Sequence, residues 1–168
     1  AFESYARAFR EDAGHQDAKV ELERLSAAVG ASDALASVYE GVVSNADDPQ
    51  LAIGLLLRAA EIREDDLGQI DRAIEHYERV LDLDQEHHAS ADALERLFQQ
   101  AERYEDLARI YQRKAKMVPA AADQREQLVK AAAIYEDILD KPNDAILVYE
   151  QVLEVDPADV ESIDRLIE

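Results

Sequence analysis

The segment AIEHYERVLDLD at residues 73–84 returns at 145–156 as AILVYEQVLEVD, and the offset of 72 residues aligns what lies around it without a gap. LERL at 22–25 recurs at 94–97, RAAEI at 58–62 recurs as KAAAI at 130–134, and the opening AFESYAR recurs as AIEHYER. Tyrosines divide the unit further: Tyr5, Tyr39, Tyr77, Tyr111 and Tyr149 are 34, 38, 34 and 38 residues apart. A period in the range of about 20–50 residues marks an array in which each unit buries its apolar face on its neighbours.

Within the units the apolar residues recur at steps of three and four, as Phe2, Tyr5, Ala6 and Phe9 do, or Ile74, Tyr77 and Leu81. That is the spacing of one face of an α-helix, and no segment alternates as a strand would. Pro49, Pro142 and Pro157 suit a first helical turn, and Gly30 and Gly68 suit a helix stop. The pattern predicts ten helices over about 1–11, 16–28, 31–44, 49–66, 70–83, 87–100, 104–117, 120–139, 142–155 and 158–168. Short connections make successive helices antiparallel neighbours. The expected domain is one repeat array over 1–168, with a half repeat at 1–14, repeats at about 15–48, 49–86, 87–120 and 121–157, and a half repeat at 158–168. It opens without Met and inside a repeat, so the chain is expected to be part of a longer protein.

These markers resemble the tetratricopeptide repeats. Leu94, Phe98, Tyr104, Tyr111 and Pro119 stand where that family has its first-helix leucine, first-helix aromatic, turn aromatic, second-helix aromatic and closing proline, and Ala145, Tyr149 and Pro157 repeat part of the pattern. The chain departs from the family at Leu35 and Leu107, where a small residue is usual, and at Glu23 and Glu95, where the first helix usually has glycine. The 38-residue units add one helical turn, EIREDDLG at 61–68 and AIYEDILD at 133–140. That alternation is similar to long multi-repeat proteins of bacteria. The resemblance implies an all-α, right-handed α-solenoid of antiparallel helix pairs whose first helices line a concave groove for a protein or peptide partner.

The tyrosine ladder reads as core packing on the second helix of each pair, with the hydroxyls free to reach a polar partner. Catalytic constellations are absent: there is no P-loop, no GxSxG, no HExxH and no cysteine. Adjacent acids such as Asp47–Asp48 and Asp65–Asp66 are ordinary in a chain with 38 acidic residues. His15 and His87 occupy equivalent turns, with His88, Asp84 and Glu86 near the latter, which would suit a loop metal; a polar residue is ordinary in a solvated turn and the duplication alone matches His15 to His87, so no metal and no cofactor is expected. The formal charge of −20 opposes binding to nucleic acid or to an anionic membrane surface. The longest apolar run, LAIGLLL at 51–57, falls far short of the roughly 20 residues that span a bilayer. Lack of cysteine fits cytoplasm or periplasm, with cytoplasm the expected location.

One basic residue recurs at one place on all four first helices: Arg24, Arg58, Arg96 and Lys130. With Leu22, Leu25 and Val29 taken as the buried stripe, a step of about 100° per residue puts Arg24 on the far side of its helix. Neighbours on that face are Val20, Ala27, Ala28, Gly54, Ile62, Ala133 and Ile134, with Asp92, Gln99 and Gln100 more polar. Two readings follow. In one, Arg24, Arg58, Arg96 and Lys130, with Gln99 and Gln100, hold the carboxylates of an acidic peptide or protein. In the other, each base answers an acid of its own helix, pairing Glu21 with Arg24, Arg58 with Glu61, Asp92 with Arg96 and Glu126 with Lys130, and the array is a structural spacer or oligomerisation segment. The apolar residues of the terminal half repeats, Phe2 to Phe9 and Val160 to Ile167, predict weak head-to-tail self-association.

Overall fold

The computed structural model describes residues 1–167, and among them the structure is entirely helical. The helices are α1 (Phe2–Glu11), α2 (Gln16–Val29), α3 (Ser32–Val43), α4 (Pro49–Glu61), α5 (Ile70–Leu83), α6 (His88–Gln100), α7 (Tyr104–Met117), α8 (Ala121–Ala133), α9 (Pro142–Val155) and α10 (Val160–Ile167). They form two compact units, Ala1–Gln85 and Glu86–Glu168. In the first, α1 packs on α2 and α3, α3 on α4, and α4 on α5; in the second, α6 packs on α7, α7 on α8, α8 on α9 and α9 on α10. Within each unit, successive helices thus hold one another, as the repeat pattern requires.

The core of the first unit is built from Ala6, Phe9, Ala18, Leu22, Leu35, Tyr39, Leu55, Leu56 and Val80, all nearly free of solvent. Phe9 meets Tyr39 edge to face, with ring centroids 5.8 Å apart. Four tyrosines of the ladder are buried, and each donates its hydroxyl to a glutamate on the preceding helix or turn: Tyr39 to Glu23 (2.9 Å), Tyr77 to Glu64 (3.5 Å), Tyr111 to Glu95 (3.0 Å) and Tyr149 to Glu136 (2.8 Å). Glu23 and Glu95, departures from the family pattern, therefore satisfy the phenols that the pattern buries. Tyr5 differs: it is 36% exposed.

Burial first, and then the hydrogen bond to a carboxylate, pushes the Tyr111 hydroxyl up to about 12; Tyr39 and Tyr149 are raised above the ordinary 10.0 by the same two causes. A phenol that keeps its proton in the folded state and loses it more readily when unfolded contributes stability that is complete below the ordinary value and lost as pH rises through the folded one. Near-UV absorbance during alkaline titration should show the phenolates of Tyr39, Tyr111 and Tyr149 arriving above the ordinary 10.0. Ionisation of these three at the ordinary value would contradict this arrangement.

The extra turn in each longer repeat is π-helical. Ile62–Asp66 continues α4 and Ile134–Ile138 continues α8. Leu67 N donates to Ile62 O (3.2 Å) and Leu139 N to Ile134 O (3.0 Å), the i→i+5 pattern of a π turn. At the end of each turn one residue has positive φ, Gly68 at 63° and Asp140 at 51°. Among the described residues the other two positive values are again an equivalent pair, Gly30 at 67° and Glu102 at 53°, where α2 and α6 stop.

The two copies fill the space beside the π turn differently. In the first, Arg63 is fully buried and forks onto Glu40 through Nε (2.8 Å) and Nη2 (3.1 Å). Its remaining donors reach Asp33, Gln69 Oε1 (2.9 Å) and Ser37 Oγ (3.3 Å), and His76 Nε2 lies 2.9 Å from Glu40 Oε1. In the second copy the equivalents of Arg63, Glu40 and His76 are Tyr135, Gln112 and Val148, and Gln112 Nε2 approaches the Tyr135 hydroxyl at 3.5 Å. The lost charge pair is replaced at the turn's edge, where Lys141 Nζ binds Glu105 Oε2 at 2.9 Å.

Both histidines considered for a loop metal cap helices instead. His15 Nδ1 accepts from Ala18 N at the start of α2, and His87 Nδ1 accepts from Ser90 N at the start of α6, each at 3.2 Å. The equivalence of the two turns thus reflects a repeated cap. Pro49 and Pro142 occupy the first turn of α4 and α9 as expected, whereas Pro157 lies in the turn ahead of α10.

Candidate functional site

The first helices α2, α4, α6 and α8 each turn one face to a neighbour and leave the opposite face open, and the basic residues fall on the open face. Arg24, Arg96 and Lys130 are exposed and Arg58 is half-buried. The stripe opposite Arg24 is shifted from the expected one: Ala18, Leu22 and Ser26 are buried, Leu25 is half-buried, and Val29 is 70% exposed. Val29 is the last residue of α2, where the chain turns away at Gly30. Because the shift is small, Arg24 still points away from the core.

In the first unit this open face carries Val20, Ala27 and Ala28 on α2 and Gly54 on α4, all exposed, beside Arg24 and Arg58. In the second, Asp92, Gln99 and Gln100 are exposed with Arg96 on α6, and Ala133 is half-buried beyond Lys130. Ile62 and Ile134 do not belong to it. Both begin a π turn and are buried at 2% and 7% exposure, because the wider turn swings them toward the core.

The bases have local partners. Arg24 donates to Glu21 Oε2 through Nη2 (2.8 Å) and Nε (3.0 Å), which draws the Glu21 carboxyl below its ordinary value. Arg58 Nη1 binds Glu61 Oε2 at 2.9 Å, and its Nε lies 3.4 Å from Glu23 Oε1, the same carboxylate that accepts from Tyr39. Lys130 Nζ binds Glu126 Oε1 at 2.6 Å and sits 5.7 Å from the centre of the Tyr111 ring, so the Glu126 carboxyl is also lowered, chiefly by that hydrogen bond. Asp92 accepts from Lys114 Nζ at 2.6 Å, and Lys114 also binds Glu95.

The same-helix pairs Glu21–Arg24, Arg58–Glu61 and Glu126–Lys130 expected from spacing are therefore present. Such exposed pairs are weak, and a competing carboxylate exchanges with them at little cost. Lys114 was not singled out by the sequence, since it lies on a second helix. Its signal is positional: it is the base that reaches Glu95, where the first unit uses Arg58 to approach Glu23.

Two family models match this chain, both described as tetratricopeptide repeat, over residues 51–87 and 90–125. No curated protein matches it. Among the described residues no helix is long and apolar enough to cross a membrane.

Proposed function

Since the chain is a tetratricopeptide repeat protein, and repeats of this kind generally mediate protein–protein interaction, we propose that it is a non-catalytic scaffold whose first-helix faces bind an acidic peptide or protein. The observation that carries this reading is the return of one basic side chain to the open face of every first helix, Arg24, Arg58, Arg96 and Lys130, in a chain of net charge −20. Small exposed neighbours, Ala27, Ala28 and Gly54, leave room for a backbone beside the cations, while Gln99 and Gln100 add neutral donors. Carboxylates of the ligand take over the hydrogen bonds that Glu21, Glu61 and Glu126 make in the free protein.

Arg58→Glu combined with Arg96→Glu is expected to abolish measurable binding of a glutamate-rich probe peptide, read by fluorescence anisotropy at low salt. Stability should change by only about 0.5 kcal/mol at the exposed Arg96 and about 1 kcal/mol at the half-buried Arg58. Undiminished binding would overturn the groove reading, and a loss of several kcal/mol in stability would assign the bases to the fold.

A spacer is the second reading, favoured by the pairing of Arg24 and Lys130 with acids of their own helices. Weak head-to-tail association belongs with it: Val160 and Ile167 of α10 are 67% and 78% exposed. On α1, however, Ala6 and Phe9 are fully covered by the unit's own helices, which leaves Phe2 and Tyr5 as its contribution to such a contact.

A further inference from the structure

A cleft of about 240 Å³ opens in the first unit where the C-terminal ends of α3 and α5 meet the start of α4. Its floor is apolar and made of short side chains: Val43 and Ala52 are buried and Ala46 is half-buried, with Leu83 standing 47% exposed at one wall. Its rim is charged. Asp47, Asp82 and Arg79 are exposed around the mouth, and none of the three side chains has a hydrogen bond or ion pair with a described residue. The neighbouring Asp48 is already used, its carboxylate accepting from Gln50 N to cap α4.

The size selects the ligand. A cavity smaller than the roughly 300–1,000 Å³ of small-molecule sites suits one inserted side chain. An apolar floor below an acidic rim suits a side chain with a methylene stem and a cationic head. The two aspartates outweigh the one arginine, and the chain's −20 charge attracts cations over a longer range. We propose that this cleft receives a lysine or arginine side chain of a basic protein partner, its stem on Val43, Ala52 and Leu83 and its head between Asp47 and Asp82. Arg79 opposes the incoming charge and thereby sets the affinity. The second copy lacks the same floor: Gln124 replaces Ala52, and its amide donates to Val118 O at 2.8 Å.

The site differs from the basic first-helix faces in both residues and ligand charge, so the two proposals stand or fall separately. The test is titration of the whole chain with Nα-acetyl-lysine amide, Nα-acetyl-arginine amide and, as a neutral isostere, Nα-acetyl-norleucine amide, followed through the methyl resonances of Val43, Ala46, Ala52 and Leu83. Saturable shifts confined to these methyls are expected for the two cations and not for norleucine. Asp47→Asn with Asp82→Asn should weaken them about five-fold or more, and Arg79→Gln should strengthen them, both effects fading with salt. All three side chains are exposed, so the variants should fold, which their unchanged methyl spectra would verify. Equal response to norleucine, shifts spread over the acidic surface, or weaker binding in Arg79→Gln would overturn the assignment.

Discussion

Glu40→Gln should destabilise the first unit by about 3 kcal/mol, because it leaves the fully buried Arg63 guanidinium without its bidentate partner. Asp33 and Gln69 remain on the guanidinium and keep the loss from being larger. The second copy shows how the same space is filled without charge, so the triple exchange Glu40→Gln, Arg63→Tyr, His76→Val should recover most of the loss. Urea unfolding of the single, triple and intermediate variants measures both effects, and the coupling between them is the non-additive part. A harmless Glu40→Gln, or a triple exchange as damaging as the single one, would refute the equivalence. Acid should report on the same network. Burial alone would raise the Glu40 carboxyl, but hydrogen bonds from Arg63 and His76 hold it below its ordinary 4.5. Its contribution is therefore present above that value and lost as pH falls through the folded one, and Glu40→Gln should flatten that acid limb.

Tyr39→Ala should cost about 3–5 kcal/mol, the range for removing a large ring from a packed core. The ring is fully buried against Phe9. Tyr39→Phe isolates the hydroxyl and should cost about 1 kcal/mol, since Glu23 keeps Arg58 nearby. Tyr5→Ala, at an exposed rung of the same ladder, should cost far less than Tyr39→Ala. Thermal or urea unfolding that gave Tyr5 and Tyr39 equal weight would show that ladder position, rather than burial, governs these residues.

Helix positions were legible because the three- and four-residue steps are strong in every unit, and all ten helices fall within two residues of the expected boundaries once the π turns are counted with α4 and α8. The π turns themselves were not legible. Four additional residues read as one more helical turn, and nothing in EIREDDLG distinguishes an i→i+4 ring from an i→i+5 ring. The basic face was legible from helix geometry, and so were same-helix partners such as Glu21, Glu61 and Glu126. Contacts between helices were not: Lys114 reaches Glu95 and Asp92 only through the packing of α7 on α6. Arg63 was missed because a charged residue in an acidic stretch reads as solvated. The hint lay in comparing the copies, where arginine, glutamate and histidine change together to tyrosine, glutamine and valine.

The four positive-φ residues carry a consequence for how the second unit tolerates change. Its backbone bends left-handed at Glu102 and Asp140 in the places where the first unit does so at Gly30 and Gly68. Left-handed backbone costs an L-residue on the order of 1–2 kcal/mol, a penalty that glycine escapes and aspartate partly escapes. The curvature of these corners is therefore imposed by the packing around them, in residue types that do not favour it. Substituting glycine at 102 and 140 would relax two bent corners without moving a helix, which makes them the natural places to add stability to the second unit while leaving its open faces untouched.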